Sequence, residues 1–240
     1  MKTFLYMAAL TGLFILPSCL KNNTATPADV IKFPTTQGDY WVYKVTDYQK
    51  NTVDTVTVSV VGSIKDPLQA GYLTILQRKW PNEIDSQYVS IVNDTLAFYF
   101  RSFIEPEDQL DYKLYNFIVY PLPVGKSYSS VLLPAPNISY SSDSVRMISS
   151  QSVDIHLNNS LQGFTAFSEE KTFLLTTWGP MPEYLIFTDD FIPGIGIINE
   201  TLTFRAGYPN VTGTMSKVLD TWQLLYSNLN DPPPSGSVNP

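Results

Sequence analysis

Side chains that could do nucleophilic, acid–base or metal chemistry are scarce in this chain of 240 residues. It has a single histidine, His156, and a single cysteine, Cys19. A zinc or iron site needs several such ligands, and a catalytic triad needs a histidine beside an activated nucleophile. No nucleophile-elbow sequence is present. His156 alternates with apolar residues and shares the polar side of its run with Asp154. We therefore expect a surface histidine, no metal site, no cofactor and no catalytic residue.

Carboxylates are the next candidates for chemistry. They occur close together at Glu105, Glu107 and Asp108, at Glu169 and Glu170, and at Asp189 and Asp190. Paired carboxylates can hydrolyse glycosidic bonds or bind calcium, but none of these groups has the spacing of an EF-hand loop. We expect solvated turn residues, with calcium binding in a turn and a carboxylate-based hydrolase as the alternatives.

Aromatic residues are the most suggestive feature, with 4 Trp, 15 Tyr and 13 Phe. Exposed Trp and Tyr side chains could stack on sugars or cover an apolar ligand. The other interpretation is a large aromatic core in a sheet that lacks a covering layer of helices. As candidate ligand-binding residues we single out Trp41, Tyr43, Trp80 and Trp178.

Nucleotide and nucleic-acid binding are disfavoured. The run Val124-Gly125-Lys126-Ser127 lacks the first glycine of a phosphate loop, and the residues after it read as strand rather than helix. The net charge of −7 opposes binding to a phosphate backbone.

The secondary-structure elements that position these side chains are predicted to be β-strands. Val56, Val58 and Val60 alternate with polar residues, and the same period of two recurs along the chain between turn-forming Pro, Gly, Asn and Asp residues. Helical periodicity is rare. Met215 to Asn228 would also fit a helix face, but we expect a strand there. The sequence predicts an antiparallel all-β fold with little helix.

The N-terminus has the layout of a signal peptide, with Lys2 followed by an apolar run over residues 4–16. The next residues, Leu16-Pro17-Ser18-Cys19, resemble a bacterial lipobox. The resemblance implies removal of residues 1–18 and acylation of Cys19, palmitate included, so that acyl chains hold the protein to a membrane. We expect a flexible tether over residues 19–32, a single β-rich domain over 33–229 and a disordered, proline-rich tail over 230–240.

Three further segments resemble a broad class of Bacteroidetes cell-envelope lipoproteins, mostly of unknown function. They are Phe33-Pro34-Thr35-Thr36-Gln37-Gly38-Asp39-Tyr40-Trp41-Val42-Tyr43, Tyr120-Pro121-Leu122-Pro123-Val124-Gly125-Lys126-Ser127-Tyr128 and Phe191-Ile192-Pro193-Gly194-Ile195-Gly196-Ile197-Ile198. The resemblance implies a curved antiparallel sheet, half-barrel or sandwich-like, in a protein of the outer membrane whose facing stays open. It brings no reaction with it. From the residues themselves, we expect Gly194 and Gly196 to form a bend or bulge that admits close backbone approach.

Three short sequences resemble the Asp-Ser/Thr-apolar acceptors for O-glycans in Bacteroidetes proteins. Their acceptor residues are Thr55, Thr95 and Ser144.

Together these features predict a non-enzymatic, lipid-anchored cell-envelope protein that binds an envelope component, a protein or a glycan, through a β-sheet surface. The alternative is a carrier or sensor of a hydrophobic or saccharide small molecule. A deep apolar concavity would favour that alternative.

Overall fold

The computed structural model of the protein describes residues 32–65, 71–92, 95–103, 110–120, 122–128, 142–175, 182–207, 214–230 and 232. Twelve strands and no helix lie in these ranges. The strands are β1 (Tyr40–Asp47), β2 (Thr52–Lys65), β3 (Tyr72–Lys79), β4 (Ile84–Val92), β5 (Thr95–Phe103), β6 (Leu110–Val119), β7 (Ser127–Tyr128), β8 (Ser142–Leu157), β9 (Ser160–Leu175), β10 (Glu183–Ile192), β11 (Gly196–Ala206) and β12 (Met215–Asn228). In the part of the chain that is described, no helix is long and apolar enough to cross a membrane.

All twelve strands belong to one sheet, in the order β6-β5-β4-β3-β2-β1-β12-β11-β10-β9-β8-β7. Consecutive strands pair antiparallel within β1–β6 and within β7–β12, and β1 joins the two halves by pairing antiparallel with β12. The first and last strands therefore lie side by side in the middle of the sheet. The predicted all-β antiparallel fold is confirmed, and Met215–Asn228 is a strand rather than a helix.

The second half of the sheet is strongly curved. Strands β8 and β9 form a long hairpin whose two-residue turn, Asn158-Asn159, has positive φ at both positions (50° and 62°), as a type I′ turn requires. Asn158 then reaches the end of β12: its backbone N–H donates to the Ser227 carbonyl at 2.9 Å, and its side chain bonds both backbone groups of Leu229. Since β8 and β12 are separated by three strands in the sheet order, this contact requires the sheet to curl, as predicted.

Aromatic side chains from both halves of the sheet pack in a shared core. Phe117 on β6 packs edge-on against Phe173 on β9, with ring centroids 5.8 Å apart. Tyr120 does the same with Phe191 at 5.9 Å and lies 5.2 Å from Phe167. All five side chains are at most 5% exposed. Burial of side chains this large stabilises the fold by about 1.5–3 kcal/mol each, so these five aromatic residues belong to the core.

The turn between β10 and β11 approaches the N-terminal segment closely, as the paired glycines predict. The pairing register shifts between Asp190 and Phe191, and Gly196 has φ of 108°. A Cβ atom at Gly196 would lie 3.1 Å from the ring of Phe33. Glycine is needed here for both the backbone conformation and the space.

Candidate functional site

A pocket of about 550 Å³, including the space at its mouth, opens on one face of the sheet. It is formed by β1–β5, β11, β12 and the segment before β1, through Phe33, Trp41, Tyr43, Val58, Leu76, Arg78, Gln87, Phe98, Ile197, Glu200 and Trp222. Strand register explains how distant residues share this face. Trp41 lies opposite Val58, and Val58 lies opposite Arg78, so the three side chains form a row across β1, β2 and β3.

The pocket wall on β1 is rigidly held. Trp41, 1% exposed, stacks on Phe33 at 5.4 Å, and its Nε1 donates a hydrogen bond to the Ile195 carbonyl at 2.7 Å. The Tyr43 hydroxyl donates to the Ile197 carbonyl at 2.8 Å. Both bonds tie β1 to the β10–β11 turn and the start of β11, so the pocket is fixed before any ligand enters.

Arg78 is the cationic group of the pocket. It lies opposite Asp85 in the sheet, and its Nε and Nη2 each donate to one Asp85 carboxylate oxygen at 2.6 Å. This two-point contact fixes the plane of the guanidinium group. The guanidinium carbon lies 5.7 Å from the Trp80 ring centre and 5.8 Å from the Trp222 ring centre, within cation–π range.

The two indoles beside Arg78 pack edge-on, with centroids 5.3 Å apart, and Trp222 also contacts Tyr43 at 5.7 Å. Trp80 Nε1 is buried and has no hydrogen-bond partner among the described residues. An unpaired buried donor is uncommon in proteins, and here it lies beside the pocket.

Gln87 and Glu200 bring further polar groups to the pocket although they are only 8% and 5% exposed. Burial, together with the nearby Glu200 carboxylate, raises the pKa of the Tyr43 phenol well above its usual value. Tyr43 therefore stays protonated and acts as a hydrogen-bond donor rather than a base. The pocket combines apolar walls with a guanidinium, an amide and a carboxylate.

The four aromatic candidates have different positions. Trp41 and Tyr43 line the pocket, whereas Trp80 is not among the lining residues but contacts two of them, Arg78 and Trp222. Trp178 lies outside the described residues. Sequence reasoning missed Trp222, Arg78, Gln87 and Glu200 as site residues. For Arg78 the sequence did hold a signal, the alternation of side chains along a strand, because Arg78 comes two residues after the buried Leu76 and so lies on the same strand face.

The modification candidates also differ in position. Thr55 is exposed on β2, and Thr95 on β5 is 6% exposed. Ser144 is in β8, with a side chain outside the described set, and Cys19 precedes the described residues. His156 is exposed, as predicted. Within the described ranges, no group of three or more His, Cys, Asp or Glu side chains is arranged to hold a metal ion.

The expectation that the acidic pairs are solvated turn residues is wrong for Glu169 and Asp189. Both lie within strands and are 0% exposed, with Lys171, also 0% exposed, between them. Their neighbours Glu170 and Asp190 are half-buried on the other strand face. Glu105, Glu107 and Asp108 lie outside the described residues.

Comparison with known proteins yields little. No family model and no curated protein matches the chain. Among solved structures, the chain is similar to a putative lipoprotein from Parabacteroides distasonis, with 14% sequence identity and a TM-score of 0.42. The match covers 81% of this chain and 97% of that one.

Proposed function

We propose that this protein is a non-enzymatic, lipid-anchored protein of the cell envelope that binds an envelope glycan in the pocket beside Trp222. The observation that carries the proposal is the composition of the pocket, in which apolar walls surround Arg78, Gln87 and Glu200. The anchor rests on Cys19 and the lipobox-like residues before it, with the outer membrane as the proposed location.

A saccharide fits this arrangement better than a purely apolar ligand. Sugar rings present C–H faces that pack on aromatic rings, and hydroxyl groups that hydrogen-bond planar polar side chains. A hydrocarbon ligand would give the Gln87 amide no hydrogen bond in place of the water that it displaces, which costs about 1–3 kcal/mol. The Arg78–Asp85 contact holds the guanidinium group in a fixed plane, which lowers the entropy lost on binding.

The same geometry supports binding rather than hydrolysis. Hydrolysis by paired carboxylates needs an acid and a second carboxylate facing each other across the substrate. Glu200 is the one carboxylate among the described lining residues, and the nearby Asp85 is engaged by Arg78. The Tyr43 hydroxyl donates its hydrogen bond to a backbone carbonyl and not to a base that could activate it as a nucleophile.

A glycan array probed with the acylated protein in detergent tests the proposal. We expect wild-type protein to bind a defined subset of saccharides. Glu200→Gln should weaken that binding about tenfold, and Trp222→Ala at least tenfold, which corresponds to about 1.4 kcal/mol. Tyr72→Ala is the matched control, because Tyr72 is 72% exposed at the start of β3, the strand that carries Arg78.

Unchanged binding by both pocket variants would place the glycan elsewhere and contradict the proposal. So would the absence of any saccharide ligand together with binding of a fatty acid, which would favour a carrier of hydrophobic molecules. The anchor is tested separately by cell fractionation. Cys19→Ala should move the protein out of the detergent-soluble membrane fraction, because the acyl chains supply the attachment.

A further inference from the structure

Three charged side chains lie together in the core between the two halves of the sheet. Lys171 on β9 hydrogen-bonds Asp189 on β10 through its Nζ, and the same Nζ is 3.9 Å from Glu169 Oε1. Glu169 lies opposite Asp189 in the sheet register, two residues before Lys171 on β9. All three side chains are 0% exposed. Adjacent antiparallel strands thus hold an amine and two carboxyl groups in contact, away from water.

Aromatic rings enclose this cluster. Lys171 Nζ lies 5.7 Å from the centre of the Phe117 ring, and Lys171 is opposite Phe187 in the sheet. Phe173 bridges the other two rings, with centroids 5.8 Å from Phe117 and 5.6 Å from Phe187. In such surroundings the lost hydration of a charged pair can exceed the energy of its mutual attraction, and a neutral amide in place of the pair would remove that cost.

Glu169 is oriented by the backbone of β6. The Val119 N–H donates to Glu169 Oε2 at 3.1 Å and to Oε1 at 3.4 Å. Burial is the main cause that raises the pKa of Glu169 to about 8, with the Asp189 charge adding to it and Lys171 and the Val119 N–H opposing it. At neutral pH Glu169 therefore carries a proton that it can give and take back.

We propose that Lys171 and Asp189 join in an intramolecular amide (isopeptide) bond, with Glu169 as the proton carrier. The three positions match the needs of the reaction: an amine nucleophile, a carboxyl carbon beside it, and an acid within reach of both. Contact enforced by the folded sheet replaces a bimolecular encounter, which is the largest advantage an intramolecular reaction can have.

The steps balance without any other reactant. A proton passes from the Lys171 ammonium to the Asp189 carboxylate, which leaves a neutral amine and a carboxylic acid. The Nζ lone pair attacks Asp189 Cγ, so the C–N bond forms while Glu169 protonates the carbonyl oxygen. Glu169 recovers its proton from the nitrogen, and the Cγ–O bond breaks as one oxygen leaves as water. The products are one amide, one water molecule and an unchanged Glu169.

Tryptic mapping of the full mature lipoprotein tests this directly. Trypsin cuts after Lys and Arg, and Lys171 is the one such residue between Arg146 and Arg205. If the bond exists, Lys171 resists cleavage and the peptide 147–205 appears intact, lighter than its sequence by one water molecule. Its fragment spectrum should lack backbone breaks between residues 171 and 189, because the closed ring holds both pieces together.

The surface pair Lys50 and Asp47 is an internal control in the same digest. Their side chains lie 3.2 Å apart, but Lys50 is 80% exposed, so trypsin should cut after it normally. In Glu169→Gln, which keeps the shape of the side chain, we expect the separate peptides 147–171 and 172–205 at full mass. Full-mass separate peptides from the folded wild-type protein would overturn the proposal. Complete linkage in folded Glu169→Gln would overturn the role of Glu169.

Discussion

Replacement of Trp41 by Phe tests whether one hydrogen bond fixes the pocket wall. The change removes Nε1, which donates a hydrogen bond to the Ile195 carbonyl at 2.7 Å. The carbonyl loses this partner in a residue that is 0% exposed. An unpaired buried carbonyl costs about 1–3 kcal/mol. The smaller ring leaves a void of roughly 40 Å³, which adds about 1 kcal/mol. We expect a total loss of about 2–4 kcal/mol of unfolding free energy.

Urea unfolding followed by circular dichroism measures this loss, with Tyr43→Phe as the matched variant. Tyr43→Phe removes one donor, to the half-buried Ile197, without changing the ring, so its cost should be about 1 kcal/mol. The slope of the free energy of unfolding against urea concentration should be the same in both variants as in the wild type, since neither change alters the surface exposed on unfolding. A loss for Trp41→Phe no larger than that for Tyr43→Phe would refute the reasoning.

Three further predictions concern stability and pH. Burial and the Asp47 carboxylate opposite raise the pKa of Asp220 to about 6, so the stability that Asp220 contributes is fully present below about pH 4 and is lost as the pH rises through 6. In urea titrations, Asp220→Asn should therefore raise the free energy of unfolding by about 1 kcal/mol at pH 7, a value discounted for solvent screening, and should not change it at pH 3.5. The effect of Glu169 has the same direction but extends to higher pH, because burial raises its pKa to about 8. The free energy of unfolding of the wild-type protein should fall between about pH 4.5 and 8 by up to roughly 1.4 kcal/mol per pH unit. The same fall with pH in Glu169→Gln would contradict this. Gly196→Ala should lower the melting temperature by several degrees, since its Cβ would crowd Phe33 at a φ of 108°, and an unchanged melting curve would show that the turn can relax.

Local alternation was enough to predict the strands. Val56, Val58 and Val60 are buried on β2, as their spacing indicates, and the ambiguous stretch Met215–Asn228 pairs with strands on both sides. The pocket required long-range information, because Trp222 and Glu200 come beside Trp41 only when β12 pairs with β1. No local pattern states that the two ends of the chain are neighbours in the sheet.

The buried charged cluster was missed for a different reason. Phe167, Glu169, Lys171 and Phe173 alternate along β9, and the phenylalanines at both ends mark that face as buried. Phe187 and Phe191 flank Asp189 in the same way on β10. The alternation of period two was therefore present in the sequence, but we expected Glu, Asp and Lys side chains at the surface because they are charged residue types. Position in the alternating pattern was the better guide.

Native mass spectrometry of the lipoprotein extracted in detergent from its own membrane is the most direct test of the pocket as a glycan site. We predict that the wild-type protein carries an additional saccharide mass that dissociates on collisional activation. The Glu200→Gln/Trp222→Ala double variant should lack it, and Tyr72→Ala should retain it. Ligand-free wild-type protein, or the same bound mass in the double variant, would contradict the account.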